Sequence, residues 1–208
     1  YLEFGWAYLD DHTGQGLGYH NIGVSFQRRY FNVVSNALRC IVNVGQDPVS
    51  GVKTADGAVL LMENVFITDS PYFKLPYLNL FAGFGHPQSV ARNAGAQGVL
   101  RNTGINFESD NLTNFPTIDN TANDTWGAAF GLDLLASDLS QQLIVEVAAV
   151  QVMGNDPTRL AKGNQYATGL RYQRPLNNSW IFRADAMHGW RDNDTDITGA
   201  RIELRHKF

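Results

Sequence analysis

Five histidines, one cysteine and a scatter of acids are the side chains that could support catalysis or hold a metal in this chain. Nucleophilic catalysis needs a Ser or Cys beside a base that is itself oriented. No Gly-x-Ser-x-Gly elbow occurs, and His12, His20, His86, His188 and His206 are scattered. Asp185 and His188 stand three apart in an alternating stretch, so a strand points them to opposite faces and they cannot form a dyad. His12 and His20 flank a segment beside Asp10 and Asp11 and could meet near a rim, but solvated loop residues are the simpler reading. Asp192, Asp194 and Asp196 alternate like a calcium loop. They lack the Gly and the distant bidentate Glu of an EF-hand, and a hairpin loop rich in Asp and Asn needs no ion. Cys40 makes no internal disulfide and no Cys-based metal site, and reads as a small apolar strand residue. The expectation is a chain without cofactor that is not an enzyme.

The other ionisable residues follow a different rule. Alternate positions form the apolar sets Leu2/Phe4/Trp6/Tyr8, Ile22/Val24/Phe26, Leu38/Cys40/Val42/Val44, Ala128/Phe130/Leu132/Leu134, Leu143/Val145/Val147, Tyr166/Thr168/Leu170/Tyr172, Trp180/Phe182/Ala184/Ala186 and Ile202/Leu204/Phe208. The interleaved positions carry Arg29, Arg39, Glu63, Asp133, Glu146, Arg171, Arg183, Asp185, Arg201, Glu203 and Arg205, with Gln27, Asn43, Gln165 and Gln173. A period of two with charge on one side only marks strands with two different environments.

Ten such stretches cover the chain, at 1–10, 20–30, 37–46, 58–68, 76–84, 125–135, 141–152, 164–174, 179–190 and 197–208. Clusters of Gly, Asn, Asp and Pro separate them. Most have about the 9–11 residues a tilted strand needs to cross a bilayer. The stretches 58–68 and 76–84 are too evenly apolar for their faces to be assigned. Segment 99–107 could be an eleventh strand, but fits better inside one long loop, 85–124. Connections alternate in length: 175–178, 136–140, 69–75 and 31–36 are short, and those between them are mostly longer and rich in Gly, Asn and Asp.

Composition agrees with a strand protein of mixed environment. The chain has 208 residues, 17% charged and 12% aromatic, with 20 glycines, and its mean hydropathy is −0.23. Charge is below the roughly 25% of ordinary soluble domains. A net charge of −4 with no basic run argues against nucleic acid. The first residue is Tyr1, which reads as a processed mature chain or a fragment of a longer one.

A soluble sandwich and a membrane barrel share this periodicity, with inside and outside exchanged. Strand length, loop asymmetry, the aromatic residues Trp6, Tyr8, Tyr166, Tyr172, Trp180, Trp190 and Phe208 near strand ends, and the last strand favour the barrel. That last strand, Ile197-Thr-Gly-Ala-Arg-Ile-Glu-Leu-Arg-His-Lys-Phe208, alternates and stops on an aromatic residue. It resembles the terminal strand of bacterial outer-membrane β-barrels, the porin-like superfamily. The resemblance implies one all-β, antiparallel up-and-down transmembrane barrel over 1–208, about ten strands of it present here, in the outer membrane of a Gram-negative bacterium. It implies lipid and lipopolysaccharide as surroundings, and recognition of Phe208 by the barrel-assembly machinery. The charged face would line a lumen, loop 85–124 would narrow it, and small polar solutes would pass. The alternatives are a non-conducting structural or assembly barrel whose loops bind a partner protein or surface glycan, and, third, a barrel hydrolase. A calcium ion at Asp192, Asp194 and Asp196 would be shared with lipopolysaccharide phosphates. A homo-oligomer or a larger envelope complex is left open.

Overall fold

The computed structural model describes residues 1–9, 19–46, 50–51, 53–85, 124–153, 163–192 and 195–206. Within them lie ten strands and no helix: β1 Leu2–Leu9, β2 Tyr19–Tyr30, β3 Val34–Gln46, β4 Lys53–Phe66, β5 Lys74–Phe84, β6 Thr125–Asp133, β7 Gln142–Val152, β8 Gly163–Pro175, β9 Trp180–Arg191 and β10 Ile197–His206. All pair antiparallel with their sequence neighbours in a single sheet of order β1 to β10. The sheet is open: β1 and β10 form its two edges and do not pair with each other. Each expected stretch corresponds to one strand. The expected segments 99–107 and most of 85–124 lie outside the described residues, as do Phe208, Asp194, His12 and His86.

The connections at one end of the sheet are all of eight residues or fewer, and the three longest connections lie at the other end. The short end holds 31–33, 67–73, 134–141 and 176–179; the other holds 10–18, 47–52, 85–124, 153–162 and 192–196. At 31–33 the turn is tighter than expected and β3 starts at Val34 instead of 37. Phe31 and Asn32 both take positive φ, 50° and 57°, and Val33 N–H donates to the Tyr30 carbonyl at 2.9 Å. Two left-handed central residues match the twist of the flanking strands. Asn accommodates this conformation readily, while Phe31 is strained in it. At 176–179 the Asn177 side-chain oxygen accepts the N–H groups of Ser179 and Trp180 at 2.8 and 2.9 Å, the local bond that makes Asn a turn residue.

Register carries one face through all ten strands. The row Phe26–Leu38–Met62–Leu80–Ala128–Ala149–Tyr166–Trp190 is continuous from β2 to β9. Apolar side chains on that face are exposed: Val24, Leu38, Leu60, Leu80, Phe130, Val147, Leu170 and Ile202 all show more than a third of their surface. The other face is buried across the middle of the sheet, where it holds a core cluster of Leu61, Phe81, Ala129, Ala148, Val150, Val152, Ala167 and Met187, and is exposed at Glu3, Gln27, Arg29 and Arg205 towards the edge strands. No second layer of sheet or helix among the described residues covers it. Two glycines make room within it. A Cβ on Gly131 would sit 2.5 Å from the Tyr77 ring and 2.8 Å from Glu146 Cγ, and one on Gly127 would collide with Phe81 and the Ala149 carbonyl. Tyr77 and Phe81 lie directly across from these glycines, so each ring packs over a bare backbone.

Candidate functional site

Register places Arg39, Glu63, Asp133, Glu146, Arg171, Arg183, Asp185, Arg201, Glu203 and Arg205 on the face that carries the buried core. Arg171 on β8, Asp185 on β9 and Arg201 on β10 stand directly opposite one another in register. Asp185 has a fully buried carboxylate. Its Oδ1 accepts from Arg171 Nε at 2.7 Å, and its Oδ2 accepts from Arg183 Nε and Arg201 Nη2, also at 2.7 Å. A carboxylate out of water is tolerable only when partners fill its lone pairs, and three guanidiniums do so here.

The network continues along the strands. Glu203, opposite Arg183, lies 3.5 Å from Arg183 Nη1, 3.7 Å from Arg201 Nη2 and 3.0 Å from Arg205 Nη2. On β3 and β4, Arg39 and Glu63 approach to 3.6 Å. Arg29 is exposed at the short-turn end of β2. On β7, Glu146 is fully buried and accepts the Tyr77 hydroxyl hydrogen across Gly131. Asp133 closes the 134–141 turn: its Oδ1 accepts from Leu135 and Leu143 N–H, each at 3.0 Å, and Lys74 Nζ stands 3.3 Å from its Oδ2. In the same turn Asp138 accepts from the Ser140 hydroxyl at 2.7 Å and the Ser140 N–H at 2.8 Å. These bonds hold its carboxyl below the ordinary value of 3.8.

The exposed face is apolar between two polar and aromatic rims. At the long-connection end stand Trp6, Tyr8, Phe84, Trp126, Tyr166 and Trp190, with His20 stacked 5.9 Å from Trp6. Tyr166 and Trp190 are direct cross-strand partners. At the short-turn end stand Tyr30, Tyr172 and Trp180, with Arg28 over the Tyr30 ring at 5.1 Å and His206 at 4.6 Å from Trp180. Among the described residues, the arginines of this face, Arg28 and Arg174, both sit at that end. Asn36 and Asn64 lie one step further in; Asn36 donates to Asn64 at 2.8 Å, and Asn64 donates to the Leu78 carbonyl at 3.1 Å. Cys40 is on this face too, between Val24 and Leu60.

The catalytic candidates stay apart. Asp185 is buried, whereas His188 is on the exposed face against Trp190, its Nδ1 2.7 Å from Thr198 Oγ1. Asp192 Oδ2 accepts from Asn164 N–H at 3.0 Å and Asp196 Oδ1 from Arg191 N–H at 3.3 Å, so both engage neighbouring backbone. No cluster of three metal-ligating side chains occurs among the described residues.

Sequence reading passed over Lys74, Tyr77 and Asn79. Lys74 precedes Pro76 in an irregular strand start, where Leu75 has φ 46° and the register shifts, so simple alternation misplaces it. The spacing of Tyr77 and Phe81 against Gly127 and Gly131, four residues apart on both strands, was the available signal. No protein-family model, curated protein or solved structure matches this chain.

Proposed function

We propose that this chain is an outer-membrane β-barrel, porin-like, through which small polar solutes pass along the charged face. The observation that carries the reading is the inversion of the faces. Charges sit on the buried side and apolar side chains on the exposed side, the arrangement lipid demands and water does not. Charged residues facing hydrocarbon at mid-depth would cost about 2–4 kcal/mol each, and the described arginines of the exposed face, Arg28 and Arg174, sit at one rim.

The dimensions agree. Trp180 and Trp190 lie at opposite rims of β9. Ten residues at ~3.3 Å each, tilted by about 40–45°, span about 25 Å of membrane normal, the height of the apolar band in such barrels. β1 and β10 run in opposite directions, so the two edges can pair directly or through further pairs of strands. The short turns would lie on the periplasmic side and the long connections outside. Lipid and lipopolysaccharide would surround the exposed face.

Passage rests on the side of the buried face that retains water. Gln27 and Arg29 are exposed there, and the Arg39 and Arg205 side chains keep 36% and 52% of their surface. A second reading, a non-conducting structural barrel, draws on the opposite wall, where Asn79 and Glu146 have no exposed surface and a narrow barrel would be filled by side chains. Single-channel recording in planar bilayers separates them. Discrete conductance steps from the folded chain are expected for passage, and a silent bilayer containing correctly folded protein supports the filled barrel.

A further inference from the structure

The charges of the buried face are not evenly mixed. On β8 to β10, four guanidiniums (Arg171, Arg183, Arg201 and Arg205) gather around two carboxylates, Asp185 and Glu203. Each guanidinium offers five N–H groups, whereas each carboxylate has about four lone-pair sites. Arg171 directs only its Nε to Asp185, and Arg205 directs Nη2 to both Glu203 oxygens at 3.0 and 3.1 Å.

The cluster is graded from dry to wet. Side-chain exposure is 0% at Asp185, 11% at Arg171 and Arg183, 18% at Arg201 and 52% at Arg205. The fully buried carboxylate pins three arginines in place. Their order continues through Glu203 to a fourth, Arg205, that faces solvent at the short-turn half of the strands. A guanidinium held from one side and open to solvent on the other, as Arg205 is, suits planar or tetrahedral oxyanions, which it can grip with two parallel hydrogen bonds.

We propose that the β8–β10 arginine cluster is an anion-binding station selecting small solutes that carry phosphate, sulfate or carboxylate groups. As a selectivity element it rests on the passage reading above; as a binding site it does not. Arg205 is the contact that meets the anion from solvent, and Asp185 is the residue that positions the arginines behind it.

Two measurements test this on the full folded chain. In planar bilayers under a potassium chloride gradient, the reversal potential should report preference for chloride, and added inorganic phosphate should reduce the chloride current. Arg205→Gln should erase that preference and Arg205→Lys should keep it. By calorimetry in detergent micelles, inorganic phosphate should bind, and Arg205→Gln should weaken it by about tenfold, the loss of one charge-assisted hydrogen bond. Arg205 is half exposed, so neither variant removes a buried partner. Conductance with cation preference, together with no phosphate binding, overturns the proposal and leaves passage standing. Phosphate binding that depends on Arg205 in a chain that never conducts overturns passage and supports the binding site. Absence of both overturns both.

Discussion

Arg201 donates from Nη2 to Asp185 Oδ2 at 2.7 Å, and the two residues stand directly opposite in the register of β10 and β9. The pair is therefore a cross-strand contact in the strict sense, fixed by backbone pairing before either side chain chooses a rotamer. A slip of one residue in β10 would send Arg201 to the apolar face and Ile202 to the charged one. The ion pair and the register specify each other.

Replacing Asp185 leaves Arg171, Arg183 and Arg201 packed together without their shared counter-charge. Breaking a buried pair by removing one partner costs about 3–5 kcal/mol. Asp185→Ala should lower the urea midpoint of the folded protein in detergent accordingly, whereas Arg205→Ala at the exposed end should change it little. Equal small shifts for both would mean the network is not buried in solution.

On the exposed face, Val147 sits at mid-strand with 49% of its surface free. Val147→Arg should destabilise the protein folded into lipid vesicles by about 2–4 kcal/mol. The same change on a water-facing surface stays within about 0.5 kcal/mol, so the size of the effect distinguishes the two settings.

Gly131→Ala drives a methyl into the Tyr77 ring and Glu146. Overpacking of this kind costs about 1–3 kcal/mol. Tyr77→Phe, which keeps the ring and deletes the donor to Glu146, separates the packing effect from the hydrogen bond in the same unfolding assay.

Asp138 sets a pH response in the turn 134–141. Hydrogen bonds from the Ser140 hydroxyl and then the Ser140 N–H lower its folded pKa below the ordinary 3.8. The contribution is complete above that value and is lost as pH falls through the folded pKa. The Ser140 and Gln141 amides should therefore gain hydrogen-exchange protection as pH rises past the carboxylate range, relative to the same amides in Asp138→Asn.

All ten strands were legible because Gly, Asn and Pro interrupt the alternation cleanly. The charged face was legible wherever one side of a strand is purely apolar, as at Leu170/Arg171 and Ala184/Asp185. β4 and β5 resisted because Val59 and Leu61 are as apolar as Leu60 and Met62. Both faces of these strands are apolar: Leu60 and Leu80 are exposed on one, while Val59, Leu61 and Phe81 are buried on the other, where Leu61 and Phe81 cluster with Ala129 of β6. Asn36 and Asn64 break the apolar face near its rim by satisfying each other, which depends on a pairing the linear sequence does not display. The Asp185 network was readable as a set of charges but not as a network, since its geometry comes from register across three strands.

The central claim is that the exposed apolar face lies in lipid. All four tryptophans of the chain, Trp6, Trp126, Trp180 and Trp190, are on that face, so the native protein carries its own probe. Tryptophan fluorescence should be strongly quenched when the protein is folded into vesicles of brominated phospholipid, and little affected by aqueous iodide. Full quenching by iodide with no response to brominated lipid would contradict the account.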